Sequence, residues 1–450
     1  TLRGLQDVGV PGRPLTLIPY GLVKHPGDDA WSGDAVDVRL GGDLRVRLGE
    51  DTWGELTALT DFAEVDLDDE LINLDRFPLF LPEKRPFFLT GLQIFEFGER
   101  GQSQVFFSRQ IGLDAAGVAQ PLLGGAKLYG QAGDVQFGLL NVATPEAGGQ
   151  PVANHAAWRF KYIFEGGGHL GIIGATRHGL DGAAELPTHV ASGLDGAVRL
   201  LDRRLELAGF TSLTQTEGAP LGDSSQVRLR YQGQAWQPSL TVRRVDQDFD
   251  PAVGFVRRRD VVTTTAQAPW WTFFQGAVAR LQVVPIVVWE RSADLSEARS
   301  ADAGAEVWLQ GRTNWQLGAF GGWRSDVVVS DFEVVPGLPV AAGSYAGPYA
   351  GLSLSSASQR NPNGSLTLSV DDAFFGGRRL RADVSAQAYA GAHLRFAVSG
   401  AAARLDLPGH GARHTLALNA GPTVAVSTTL FMDLLAQVNS VEEGVRGLAR

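Results

Sequence analysis

The chain has 450 residues, a formal net charge of −10, 56 Gly, 22 Pro and no Cys. The lack of cysteine excludes a disulfide scaffold and thiolate metal sites, and the acidic balance argues against a nucleic-acid partner, which needs a cationic surplus. No apolar run reaches the roughly 18–20 residues of a spanning helix; the longest, 281–289, is broken by Gln282 and Pro285.

A tilted spanning strand needs only about 9–11 alternating residues, and such segments recur throughout. In chain order, 14–23, 37–48 and 52–60 read as strands. The rhythm then stops. Residues 61–70 are acidic, and those that follow, up to about 100, are rich in Phe, Leu and Pro. This stretch is too long for an ordinary connection and too apolar for disorder.

From 104 the alternation resumes and runs to the end. Trp158, Phe160, Tyr162 and Phe164 share one parity, and Arg159 and Lys161 the other. Val227, Leu229 and Tyr231 oppose Arg228 and Arg230, and Leu380, Ala382 and Val384 oppose Arg381, Asp383 and Ser385. A period of two marks a strand with two different faces. The polar parity carries Arg, Asp, Gln, Asn, Ser and Thr rather than the Lys and Glu of a surface in bulk water. The apolar parity includes much Ala and Gly, which suit lipid better than a dry core. Trp236, Trp270, Trp271, Trp289, Trp308, Trp315 and Trp323 fall near strand ends, as in an interfacial girdle. Connections at 130–134, 165–168, 201–204 and 376–379 are tight, whereas those at 144–154, 216–224, 292–303 and 331–344 are longer.

These features predict an all-β fold: a large antiparallel transmembrane β-barrel of roughly 18–22 strands. It forms one domain over 1–450, with 61–103 as an inserted lumen or plug segment. The expected location is the outer membrane, with membrane lipid as partner and a periplasmic or polysaccharide partner compatible with it. No cofactor is implied. The start at Thr1 reads as that of a mature or trimmed segment.

Several residues carry candidate chemistry. Glu83, Lys84 and Arg85 stand between Pro82 and Pro86, which fix φ and stiffen the segment. Flanked by Phe80, Phe87 and Phe88, they read as a wedge with an apolar base and a charged tip that narrows the lumen. The competing reading is a structural lock, its charges paired with Arg109 or Asp134. Arg76, in the same segment, is a further lumen candidate. Arg243, Arg257 and Arg259, with Arg244 and Arg258, flank Asp246, Asp248, Asp250 and Asp260. They read either as a lumen lining for anions or anionic saccharide, or as an ion-pair cluster on the periplasmic rim. Asp61, Glu64, Asp66 and Asp68 are a weak calcium candidate without EF-hand spacing, against a solvated loop. No Gly-x-Ser-x-Gly or His-Glu-x-x-His motif is present, and the glycines at 166–171 join two strands as a hairpin turn.

The run 72–91, with its Pro-Glu-Lys-Arg-Pro-Phe-Phe block, and the stretches 106–113, 122–130, 138–144 and 247–260 together resemble a family of uncharacterised bacterial envelope proteins. In that family a family-9-type carbohydrate-binding module commonly precedes a domain taken to be an outer-membrane barrel. The resemblance implies place and shape, and no activity. It departs in two respects: the module is absent, and the chain stops at Arg450 rather than at an aromatic residue, so one or two final strands are expected to be missing. The expected function is passage or export of a hydrophilic, saccharide-related solute through a partly occluded lumen. The rivals are a permanently plugged structural or partner-binding protein, a glycan-active hydrolase, and a soluble carbohydrate-binding protein.

Overall fold

A computed structural model describes residues 14–24, 37–59, 69–113, 120, 122–146, 151–180, 186–427, 430–441 and 444–449. The calcium candidates Asp61, Glu64, Asp66 and Asp68 lie outside them. The three N-terminal strands expected from alternation are present as Leu15–Lys24, Asp37–Arg47 and Thr52–Ala58.

Among the described residues one antiparallel sheet of 23 strands runs in chain order from Leu15–Lys24 to Gly444–Ala449. Val261–Gln267 and Trp270–Phe273 both pair with Val278–Arg291, so they are two pieces of one crossing. Among the described residues the wall therefore has 22 crossings, the upper end of the expected range. Among the described residues no ladder joins the first strand to the last. The helical pieces of the insert, Pro86–Leu89 and Leu92–Phe95, have four residues each.

Residues opposite one another in a ladder point to the same side, so the register sorts the wall into two faces. One face carries rows such as Thr263, Glu290, Ser300 and Asp326, or Ser399, Asn419 and Gln437. The other leaves Val287, Trp289, Leu368, Leu380 and Val384 about half exposed. Trp236, Trp270 and Trp323 are exposed as well, whereas Trp308 shares the parity of Glu306 and donates to its carboxylate at 2.9 Å.

Connections divide by end. At one end all are short, from the turn at 133–134 to the seven-residue link 356–362. The opposite end carries the insert and the loops 246–260 and 329–342. The tight turn at 375–376 sits at this long-loop end, between Asn363–Phe374 and Gly377–Ala390.

The insert explains why the sheet is curved. The Lys127 ammonium, on the fourth crossing, donates to the Phe87 and Thr90 carbonyls. Asn439, on the twenty-first, donates to the Glu70 carboxylate at 3.0 Å. In a flat sheet those crossings would lie roughly 80 Å apart. Seventeen fully extended residues between Glu70 and Phe87 reach only about 60 Å. The wall must curl round the insert, with its polar parity inside.

Candidate functional site

The insert docks asymmetrically. On the near wall the inward parity turns apolar beneath it. Phe87, Phe88, Ile94, Phe95, Phe97 and Phe106 pack into one cluster with Leu140, Val142, Ala157, Ile173, Ala175 and Ala191. Burying each large side chain contributes about 1.5–3 kcal/mol. Two wall glycines make room: a Cβ on Gly138 would lie 2.7 Å from the Phe95 ring, and one on Gly193 would lie 2.3 Å from Phe97. The loop 246–260 packs against the insert. Its Phe255–Val256 pairs with Ser103–Gln104, and Phe80 stacks on Phe107 at 4.8 Å and meets Phe255 edge-on at 5.2 Å.

The far wall meets the insert through ion pairs and through a second apolar cluster, where Leu74 packs with Val328, Phe374, Leu405 and Leu407, and a cavity of about 730 Å³ remains there. Six arginines and six carboxylates line it, so it carries matched charge rather than a one-sign field. Every carboxylate has a guanidinium partner. Arg76 spans from the insert to Asp326 with two bonds, 2.6 and 2.8 Å. Burial alone would pull the Arg76 guanidinium down, but the bonds and charge of Asp326 outweigh it and hold it raised. Arg258 bonds Glu290 at 2.5 Å, and Glu290 also accepts from Thr263 and Ser300. Arg324 joins Asp302 at 2.9 Å and Asp371 at 3.4 Å, and Arg379 holds Asp371 at 2.9 Å. Arg257 meets Asp75 at 3.3 Å, and Arg243 meets Glu99. Phe77 lies beneath the guanidinium groups of Arg76 and Arg258, at 4.6 and 5.0 Å.

A second cavity of about 370 Å³ shares Glu99, Arg243, Thr263 and Thr265 with the first. The Arg243–Glu99 pair, joined by Gln102, thus stands between two compartments. A third space of about 540 Å³ is lined by Asp69, Lys84, Asn363, Asn419 and Asp433, among others.

The sequence candidates separate into groups. Arg76, Arg243 and Arg257 tie the insert to the wall and to the loop around the first cavity, and Lys84 faces the third. Glu83 and Arg85 do not form an exposed tip. They are buried and paired with each other at 2.7 Å. Arg85 also donates to the Ser108 and Ile111 carbonyls, and Ser108 donates to Glu83. Burial pushes the Glu83 carboxyl up, but the bonds and charge of Arg85 prevail and hold it below the usual carboxylate range. The reason is local: in extended backbone positions i and i+2 point to the same side, so each charge finds its partner inside the segment. Arg109 is not on the wall. It lies in the insert and donates to the Pro82 carbonyl at 2.8 Å. Arg259 pairs with Asp250 within the loop, and Arg244 with Asp223 and Asp246. This rim cluster sits at the long-loop end.

Asp302, Asp326, Asp371, Arg324 and Arg379 were not singled out from sequence. Alternation alone would have turned them inward. It could not say that strands distant in sequence share one cavity.

Residues 11–137 match a family described as a domain of unknown function, DUF5916. No curated protein matches. Among solved structures, the chain is similar to the ferric yersiniabactin uptake receptor FyuA from Yersinia pestis at 9% identity and a TM-score of 0.26, covering 92% of this chain. The chain spans 59% of that receptor's length.

Proposed function

We propose that this protein is an outer-membrane β-barrel whose lumen is partly closed by residues 69–113 and the loop 246–260, and that the remaining chambers pass a hydrophilic solute. The single observation that carries the reading is the two-faced wall: greasy side chains exposed outside, hydrogen-bonded polar rows inside. Hydrocarbon offers no partner for backbone groups, and a continuous ladder satisfies them within the wall. The uniformly short connections belong on the periplasmic side and the long loops outside.

Deleting residues 72–91 is expected to raise conductance in reconstituted bilayers. An unchanged conductance, with the barrel shown intact by heat-modifiable gel migration, eliminates the plug role. A permanently sealed, partner-binding barrel is the second reading, favoured by the apolar docking of the insert on the near wall. A glycan hydrolase is less well supported: it needs a pair of carboxyls in complementary acid and base roles, and each of the six in the main cavity is engaged by arginine.

A further inference from the structure

The smaller chamber differs in charge from the larger one. Arg228, Arg230 and Arg243 line it, against one carboxylate, Glu99. Arg243 is taken by Glu99. Just beyond, Glu206 is shared between Arg199 at 3.2 Å and Arg228 at 3.5 Å. Four arginines therefore face two carboxylates. Among the described residues Arg230 has no hydrogen-bond or ion-pair partner, although Glu206 and Ser239 lie opposite it on its two neighbouring strands. The register sets neutral donors beside the arginines: Arg228 faces Thr241, and Arg230, Ser239 and Gln267 form one row on three adjacent strands.

We propose that this chamber is an oxyanion-binding subsite, taking the sulfate, phosphate or carboxylate group of a small hydrophilic solute. The inference rests on the reading of the polar face as a lumen. Guanidinium groups present paired N–H donors that match oxyanion geometry, and a neighbouring hydroxyl or amide completes the shell. The chamber holds about 370 Å³, room for one such group with a sugar-sized body. The matched charges of the larger cavity offer no comparable surplus, so the anion settles at the short-turn side of the Arg243–Glu99 pair.

The test is equilibrium dialysis of the full chain, folded in detergent, with radiolabelled sulfate against chloride at matched ionic strength. Saturable binding is expected, weakened at least tenfold in R228Q/R230Q and unaffected in R259Q, whose arginine pairs elsewhere. Displacement by glucuronate but not glucose identifies a carboxylated sugar, and no displacement by glucuronate identifies the free inorganic ion; both keep the site. Non-saturable binding, or equal affinity in a double variant that still shows heat-modifiable migration, overturns it. Binding does not require an open pore. A failed conductance test with intact sulfate binding would remove the plug and leave the subsite.

Discussion

At the level of single residues, the insert is held by a lock that is more local than its sequence suggests. Glu83 and Arg85 neutralise each other inside it, and the remaining donors of Arg85 cap two carbonyls. Because the Glu83 carboxyl is held down when folded, its contribution is full above the unfolded carboxyl value of about 4.3 and fades as pH falls through the lower folded value. Glu83→Gln leaves a buried arginine without its counter-charge and should cost about 3–5 kcal/mol near neutrality. The gap between wild type and variant in melting temperature should shrink below about pH 4; a gap constant with pH would refute the lock. The glycine windows give a second prediction. Gly193→Val places two methyls where Phe97 sits, an overpacking worth about 1–3 kcal/mol or more. It should expose the insert to protease while the wall keeps its heat-modifiable migration, and unchanged cleavage would contradict the docking geometry.

At the level of elements, alternation located the strands well but said little about the insert. The three N-terminal strands agree with their sequence limits to within two residues, because a period of two is a local signal. The partners of the insert are not local. Phe80 meets Phe255, and Lys127 reaches Phe87. Residues 72–91, 122–130 and 247–260, which carry the family resemblance, converge on one packed unit although they lie far apart in the chain. No local pattern encodes that meeting. The far-wall contacts combine ion pairs with a smaller apolar cluster around Leu74 than the near wall offers, so they should yield first. Arg76→Ala removes a two-bond bridge to Asp326 and should loosen that side by about 1–3 kcal/mol, read as faster backbone hydrogen exchange in 70–79 than in the near-wall part 92–97. Equal rates in the variant and wild type would show that the bridge does not anchor the segment.

Across the whole molecule, the proposed function depends on which side of the sheet meets lipid. The outward rows leave Leu366, Leu368, Leu380 and Val384 exposed, while Thr367 shares a hydrogen bond with Ser353 inside. The barrel class and the two faces were legible in the sequence because most strands repeat the same contrast. The cavity was not, since it joins residues from the insert to the eighteenth crossing. The chain has no cysteine, so a single one can report its surroundings without background. Fluorophores placed by Leu366→Cys, Thr367→Cys and Leu368→Cys in reconstituted protein, challenged with brominated lipid, give the most direct test. Quenching at 366 and 368 but not at 367 is the expected result; quenching at 367 alone, or at none of the three, would contradict the barrel's placement in the membrane.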